Sequence, residues 1–257
     1  MTESHITTLE LYGGKYRLQF NEKTHRYKIN GIWTPGVTSI LRRLDKGEGL
    51  IQWAANLAAE SMSKGSDIAT AKAAWKTFRD TTANIGKDAH AWIQKYLQDN
   101  VKLSLSPEIA PSIEAFEQWW KEVGPFNVQS ERIVYSADFN YCGTCDIIFD
   151  TTIDGIKRRV VADFKTGSPE REWKQGKGYT GQTRAYAEAF YQCALYDQAI
   201  YEEDGLWADT YMVIYLTRDG ELFFYSTDDT APYHAAGLLA VRLSQVEKDL
   251  KGIHCFS

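Results

Sequence analysis

The sequence has few cysteines and lacks a long apolar run. Its four cysteines, Cys142, Cys145, Cys193 and Cys255, are too few and too irregularly spaced for a disulfide framework in a chain of 257 residues. No apolar run approaches the roughly 20 residues that span a bilayer, and the polar opening MTESHITTLELYGGK lacks the apolar core of a secretory signal. We therefore expect a protein without a membrane association that works in a reducing, cytoplasmic compartment.

An excess of positive charge is also missing. Lys and Arg together number 29 against 34 Asp and Glu, which gives a formal charge of −5. This balance excludes a passive nucleic-acid coat, because the affinity of such proteins comes mostly from neutralising phosphates. It does not exclude an enzyme with a local basic groove, since the potential inside a cleft is what a substrate meets. The phosphate-binding pattern GxxxxGK[ST] is absent as well, so no ATP-driven activity is expected.

The length and the 44% hydrophobic content suffice for one large domain, which would bury roughly three quarters of its unfolded surface. We predict a single domain over residues 1–257, with a hairpin and a helical wall in 1–125 and a sheet core in 126–257. The alternation in KYRLQFNEKTHRYKING indicates the hairpin. Helical spacing between Leu50 and Lys121 predicts four helices, separated at SKGSD, IGKD and LSLSPEIAPS.

From Phe126 onward the pattern changes to strands. NVQSERIVYSADF, GTCDIIFDTT and KRRVVADFKTG are β-rich, and the Asp-Gly pairs in IDGI and RDGE predict two tight hairpins. The Gly-rich, charged stretch GSPEREWKQGKGYTGQ is expected to be a loop. Helices are predicted from about Thr183 to Glu203 and from Ala231 to Leu250.

Two opposite charges stand inside the apolar strand VVADFKTG. Strand alternation sends Asp163 and Lys165 to one face, while Phe164 anchors the other face in the core. Burying both charges without further partners would be costly, and a plain salt bridge would gain little over an apolar pair. A metal ion beside Asp163 would change that balance.

Two more carboxylates are expected near this strand. In GTCDIIFD, alternation places Asp146 on the face of Ile148 and away from Cys145, Ile147 and Phe149, so Asp146 can lie across from the end of DFK. Glu131 belongs to the preceding strand. Converging carboxylates repel one another unless they are protonated or bound to a cation, and oxygen-rich sites suit Mg²⁺ or Mn²⁺. Taken singly, Asp146 could simply end a strand and Glu131 could be a solvated edge residue.

Three short segments resemble one known family. GTCD, DFKTG and QCALY match the G-x-x-D, D-x-K-T and Q-x-x-x-Y patterns of the PD-(D/E)XK nucleases, in the branch of RecB-type domains and the mitochondrial genome maintenance exonuclease. TPGVTSIL is similar to the P-x-V-T-S-I-L segment of that branch, and GKDAHAWIQKYL to its G-x-x-x-H helix. D-x-K alone is weak evidence, but five segments in the same order between Thr34 and Tyr196 are specific.

The resemblance implies an α/β fold with a restriction-endonuclease-like PD-(D/E)XK core, in which helices flank a mixed central sheet and a helical region precedes it. It implies one or two Mg²⁺ or Mn²⁺ ions, with these ligands: His90, Asp146, Asp163 and the Phe164 carbonyl. Glu131 would hold the metal or a water beside it, and Lys165 would orient or activate the attacking water. These implied roles make Lys165, Asp163, Asp146 and Glu131 the catalytic set. A lone helical histidine is more often a packing or surface residue, so His90 depends on its G-x-x-x-H context.

Residues that would contact substrate are less specific. Gln192 and Tyr196 are four apart on a predicted helix and share a face; in the family this pair supports the site and substrate phosphates, although ordinary packing is the alternative. Arg184 on the same predicted helix could contact phosphate. Lys174 and Lys177 on the predicted loop could do the same, although a solvated loop would explain their charges equally well. The further candidates for substrate binding are Thr166, Lys174 and Lys177.

The function that the resemblance implies is a metal-dependent DNA exonuclease in phage or bacterial recombination, repair or replication. DNA with free ends, single- or double-stranded, is the expected partner, together with a recombination or single-strand-binding protein. The alternatives are a structure-dependent or nicking endonuclease and a non-catalytic DNA-binding module. An iron–sulfur cluster, which some relatives hold with one upstream and three C-terminal cysteines, is not expected, because Cys142 and Cys145 should point to opposite faces of a strand.

Overall fold

The computed structural model describes residues 5–44, 48–153, 155–174, 178–217 and 220–250, with side chains described for all of these except 48–50, 170–174, 178–182 and 184. The helices in these ranges are α1 Val37–Leu41, α2 Glu48–Ser63, α3 Ile68–Asp99, α4 Ala110–Val123, α5 Ala187–Asp204 and α6 Ala231–Leu250. The strands are β1 Ile6–Leu11, β2 Tyr16–Asn21, β3 Arg26–Ile29, β4 Ile32–Thr34, β5 Phe126–Ser136, β6 Tyr141–Ile153, β7 Ile156–Thr166, β8 Glu170–Lys174, β9 Gly178–Arg184, β10 Thr210–Leu216 and β11 Leu222–Thr227.

The central sheet has the strand order β11-β10-β7-β6-β5. Its β7–β10 pair is parallel and its other pairs are antiparallel, so the sheet is mixed, as predicted. Both predicted strand pairs form: Ile153 pairs with Ile156 in the first and Leu216 with Leu222 in the second, where Gly220 has a φ of 85°. The positive φ explains the glycine, because other residues rarely adopt it. Parallel neighbours need a crossover connection, and α5 lies in the segment that joins β7 to β10.

Helices cover both faces of this sheet, which confirms the predicted arrangement. On one face α3 and α4 pack against apolar side chains of alternate strand positions, among them Phe149, Ala162 and Phe164. On the other face α1, α5 and α6 pack against the intervening positions, such as Val161 and Val213. None of the helices in the described ranges has both the length and the apolar run that crossing a membrane would require.

The predicted N-terminal hairpin is the β2–β3 pair of a larger unit. β1 and β4 extend it to a four-stranded antiparallel sheet, which packs on Tyr135 and Cys142 of the central sheet through residues such as Leu18 and Tyr27. β1 and β4 were not predicted. β4 is only three residues long, and two of its residues are exposed, so an alternating pattern is too short to detect there.

The prediction of four helices between Leu50 and Lys121 is wrong. Three helices occupy that range, because α3 continues through IGKD for 32 residues. Gly86 is not a break: a Cβ at this position would lie 2.8 Å from Thr166 Oγ1. The glycine therefore permits a close approach of α3 to β7.

Two further boundaries differ from the prediction. The stretch expected to be a loop contains the antiparallel β8–β9 ribbon, and α5 begins at Ala187 rather than near Thr183. Arg184 consequently ends β9 and does not belong to the α5 helix. The Gly-rich composition concealed a ribbon that is held by backbone pairing. The last helix has the predicted bounds.

Replacing Gly86 by alanine tests the close approach to β7. Alanine normally stabilises a helix interior by about 1 kcal/mol relative to glycine, but the contact with Thr166 Oγ1 should cancel or reverse this gain. We expect the double variant Gly86→Ala, Thr166→Ala to show this gain in stability over Thr166→Ala alone, because the contact with Oγ1 is then absent. Chemical denaturation of the four proteins measures this, and a full gain in the single Gly86→Ala variant would contradict the packing argument.

Asp197 is a buried carboxylate between α5 and β10. Its oxygens accept hydrogen bonds from the Ala208 backbone N–H and the Tyr211 hydroxyl, each at 2.9 Å. Burial nevertheless raises the pKa of Asp197 to about 6, and the two hydrogen bonds offset only part of that effect. An unfolded aspartate titrates near 4, so the folded state holds its proton more tightly. The contribution of Asp197 to stability should therefore fall as the pH rises from about 4 to about 6.

Asp197→Asn should remove this pH dependence. The free energy of unfolding of the variant, minus that of the natural protein, should increase by about 2–3 kcal/mol between pH 4 and pH 7. The reason is that the variant lacks a carboxyl group whose folded pKa lies about two units above its unfolded pKa. Urea unfolding across that range measures the difference, and Asp229→Asn, which changes an exposed carboxylate, is the control. A difference that does not vary with pH would show that Asp197 titrates normally.

Candidate metal centre

The strands β6 and β7 separate at Asp146. Their ladder ends at the pair Ile147 and Ala162, and beyond it the Phe164 backbone N–H donates a hydrogen bond of 2.8 Å to Asp146 Oδ2. A side-chain carboxylate thus accepts the bond of a buried backbone donor that would otherwise be unpaired. Asp146 lies across from the DFK segment, as the strand pattern predicted.

Glu131 lies opposite Asp146 in the register of β5 and β6. The flanking pairs, Ser130 with Ile147 and Arg132 with Cys145, fix this position, although Glu131 and Asp146 are not themselves bridged. Glu131 has a φ of 51°, in the left-handed region that costs a non-glycine residue on the order of 1 kcal/mol. The local distortion of β5 therefore occurs where the two carboxylates face each other.

The alternation of side chains along β6 is also interrupted, near Asp146. Cys145 and Ile148 pack in the core beside α5, whereas Ile147 and Phe149 pack in the core beside α3 and α4. The prediction that Cys145 shares a face with Ile147 and Phe149 is wrong. Strict alternation holds only in a regular ladder, and the ladder is irregular at Asp146.

Helix α3 brings His90 to the two carboxylates. His90 Nδ1 lies 3.5 Å from Glu131 Oε1 and 3.8 Å from Asp146 Oδ1. One ligand atom from each of the three residues lies within 4.8 Å of the others. The ring also contacts the edge of Phe164, with 5.9 Å between ring centroids. These three side chains, which sequence reasoning had placed on separate elements, can reach one cation.

The charges in this cluster alter one another's titration. Burial acts to lower the pKa of His90, but the Asp146 and Glu131 carboxylates outweigh it and raise the pKa to about 9. Burial raises the pKa of Asp146, and the neighbouring His90 opposes that rise. In the absence of an ion, a protonated imidazole thus balances part of the negative charge.

Asp163 and Lys165 form a pair beside the cluster. Lys165 Nζ lies 2.5 Å from Asp163 Oδ2, and burial raises the pKa of Asp163 to about 6 although Lys165 opposes it. The Asp163 carboxylate is completely buried; its Oδ2 faces the Lys165 ammonium, whereas within the described residues its Oδ1 has no hydrogen-bond donor. Asp163 is not one of the three residues grouped by distance. A buried oxygen without a donor, such as this Oδ1, is the kind that a cation would satisfy.

Helix α5 holds Lys165 from the other side. Lys165 Nζ donates to Gln192 Oε1 at 3.1 Å, and Gln192 Nε2 donates to the Tyr196 hydroxyl at 2.8 Å. A Cβ at Gly143 would lie 2.5 Å from the Tyr196 ring, so only glycine fits beneath it. In the sequence, Gly143 belongs to the GTCD motif and Tyr196 to the QCALY motif. The close approach of Gly143 to the Tyr196 ring therefore brings two of the matched segments together.

Of the remaining residues predicted for the site, some lie within the described residues and some lie outside them. Thr166 is partly buried beside Gly86. The side chains of Lys174 and Arg184 and all of Lys177 lie outside the described residues, so their roles stay predictions, as does the role of the Phe164 carbonyl. Cys142 and Cys145 pack on opposite sides of the sheet, as predicted, while Cys255 lies outside the described residues.

Comparisons with known proteins give little further information. No family model matches the chain, and no curated protein is similar to it. The solved structures that match include a crystal structure of a "Putative exonuclease" from Eubacterium rectale, with 17% identity and a TM-score of 0.43, and this match covers 65% of this chain and 65% of that one. At this identity and TM-score the likeness assigns neither family nor activity. Fold and geometry thus define a mixed α/β protein with an acidic cluster that can hold a divalent metal.

The donor set fits a hard divalent cation. Glu131 and Asp146 offer oxygens and His90 offers a nitrogen, a combination that suits Mn²⁺ and is compatible with Mg²⁺. The buried Oδ1 of Asp163, which has no hydrogen-bond donor within the described residues, is a further oxygen that such a cation could use.

Binding of Mn²⁺ or Mg²⁺ should therefore raise the melting temperature. At 100 times the dissociation constant the stabilisation would be about 2.7 kcal/mol, or several degrees for a chain of this size. Asp146→Asn should abolish the shift. Asp150→Asn, on the same strand but paired with Lys157, should retain it. Thermal melting with and without the ion tests this, and an equal shift in both variants would place the ion elsewhere.

Proposed function

We propose that this protein is a metal-dependent deoxyribonuclease with a PD-(D/E)XK core of the RecB-type branch. The observation that carries the proposal is the Lys165 ammonium, paired with a buried Asp163 carboxylate that adjoins the cluster of His90, Glu131 and Asp146. Phosphodiester hydrolysis needs such a combination: a cation site for the phosphate and a second positive charge for the developing anion. The mixed sheet flanked by helices agrees with the core that the sequence resemblance implies.

In this proposal the three clustered residues hold the ion, and Asp163 and the Phe164 carbonyl complete its surroundings. A bound divalent ion would supply Lewis acidity at phosphorus and lower the pKa of water. Mg²⁺ or Mn²⁺ is the proposed metal, with one or two ions. The Phe164 N–H keeps Asp146 oriented toward the cluster, so the ligand is positioned before an ion arrives.

Lys165 would act as a fixed positive charge. Burial alone would lower the pKa of this lysine, but the Asp163 and Asp146 carboxylates outweigh burial and raise it. A lysine held protonated stabilises the anionic transition state and orients the attacking water by hydrogen bonding; it does not remove a proton from that water. Gln192 fixes the ammonium, and Tyr196 fixes the amide of Gln192.

The proposed substrate is DNA with free ends. Residues 126–257 would supply the catalytic sheet core of a single nuclease domain spanning 1–257, and the helices within 1–125 would form a wall of the DNA cleft. Exonuclease action in phage or bacterial recombination, repair or replication follows from the sequence resemblance, as does a cytoplasmic location. Phosphate contacts are proposed for Thr166, Lys174, Lys177 and Arg184, whereas Gln192 and the buried Tyr196 would act on the substrate phosphate by holding Lys165.

Lys165→Ala should reduce DNA cleavage about 100- to 1000-fold, since removal of one charge-stabilising group typically costs that much. Lys157→Ala is the matched control, because Lys157 lies on the same strand but its side chain is exposed and pairs with Asp150; its activity should be unchanged. End-labelled linear DNA and closed circular DNA, each with Mn²⁺ or Mg²⁺, serve as substrates.

The substrates separate the competing functions. An exonuclease leaves the closed circle intact, whereas cutting of the circle would show an endonuclease. Binding of DNA without cleavage of either substrate by the natural protein would indicate a non-catalytic module and overturn the proposal.

A further inference from the structure

Helix α6 has two apolar faces, one buried and one exposed. On the buried face, Ala240 and Val241 belong to the core that lies beside α5. Gly237, on the same face, lies so close to α5 that a Cβ at this position would be 3.2 Å from the Leu195 side chain. This packing fixes which side of α6 points to solvent.

The exposed face carries a row of large apolar side chains, which we call the α6 stripe. Its members and their exposed fractions are Leu239 67%, Leu243 47%, Val246 52% and Leu250 55%. They follow one another at intervals of four, three and four residues, so they share one side of the helix. Single exposed leucines need no explanation, but a contiguous apolar row marks an interaction surface.

The charges near the α6 stripe do not fit a lipid surface. Residues 239–250 contain two basic side chains, Arg242 and Lys248, and two acidic ones, Glu247 and Asp249. Helices that lie on a membrane have a polar face rich in lysine and arginine, which this helix lacks. An apolar row at heptad-like spacing with charges of both signs beside it is typical of a helix that packs against another helix.

The spacing of the α6 stripe is self-complementary. The intervals four, three and four are the same when the helix is reversed. In an antiparallel pair of α6 helices, Leu239 therefore faces Leu250 of the second copy. Leu243 faces Val246 in the same way. A twofold contact between identical chains requires such a surface, in which each residue meets its counterpart twice.

The flanking charges are complementary in the same arrangement. Arg242 and Asp249 are seven residues apart and lie on one flank of the stripe, and both are exposed. In an antiparallel pair this flank meets itself, and Arg242 lies about 3 Å along the helix axis from Asp249 of the second copy. A parallel pair would instead direct Arg242 to Glu247, which already pairs with Arg43 of its own chain at 3.2 Å.

We propose that two copies of this chain dimerise by antiparallel packing of their α6 stripes. The dimer does not depend on the proposed nuclease function. α6 packs on α5 at Leu195, and α5 holds Lys165 through Gln192, so the stripe lies on the far side of α5 from the candidate metal centre. One helix of 20 residues per copy forms a small interface, and we expect a dissociation constant of about 1–100 µM.

Sedimentation equilibrium of the full chain over about 1–300 µM tests this dimer. The average mass should rise with concentration from 29.2 kDa toward twice that value. Leu243→Lys should weaken dimerisation at least tenfold, because it brings two like charges into the apolar contact. Leu206→Lys is the matched control, since Leu206 is exposed but lies outside the stripe; it should change the dissociation constant less than twofold. Melting curves show whether each variant is folded.

An exchange of charges tests the antiparallel direction. Arg242→Asp and Asp249→Arg should each weaken dimerisation about five- to tenfold, because each change makes two attractive contacts repulsive. An equimolar mixture of the two variants should associate as tightly as the natural protein. In the mixed dimer an acidic side chain again faces a basic one at both contacts.

Several results would overturn the proposed dimer. These are a mass of 29.2 kDa at every concentration, a dissociation constant that Leu243→Lys does not change, and a mixture of the charge variants that associates no better than either variant alone. A monomer that sediments with vesicles of anionic phospholipid would assign the α6 stripe to a lipid surface instead.

Discussion

The hydrogen bond from the Phe164 N–H to Asp146 is the interaction on which the candidate centre depends. It satisfies a buried backbone donor at the point where β6 and β7 stop pairing. If the ladder continued, a backbone carbonyl would take this bond and the carboxylate would have no fixed orientation. The separation of the strands and the left-handed conformation of Glu131 together turn two side chains toward His90.

Charge balance is the second constraint. Three carboxylates, Glu131, Asp146 and Asp163, lie near two cationic side chains, His90 and Lys165. Both aspartates have raised pKa values, chiefly because burial disfavours their charged forms. Breaking up such a buried set is costly and completing it with a cation is favourable. A bound ion would stabilise these charged residues, whereas it would not stabilise a set of packed apolar residues in their place. This difference favours a functional origin for the charges.

Local sequence patterns predicted much of the fold. The features that these patterns did not predict depend on contacts between residues distant in sequence. Strand alternation and Asp-Gly turns identified β6, β7, β10 and β11, because these signals lie within a few residues. Gly86 looked like a helix break in the sequence. The glycine is required because Thr166, a residue distant in sequence, packs against it. The irregularity at Glu131 likewise has no composition signal. Asp146, Asp163 and Lys165 were identified as candidates from both spacing and resemblance, whereas the resemblance alone brought His90 to the same site, because its position depends on the packing of α3 on the sheet.

The unbroken α3 helix fixes the position of the histidine of the candidate centre. Its 32 residues run without a break, and Gly86, one turn before His90, lets the helix approach β7 closely. If α3 were interrupted at Gly86, as the sequence suggested, the packing of the preceding turns would not constrain His90. The glycine that appeared to divide the helix is therefore what allows one continuous element to hold His90 against the sheet.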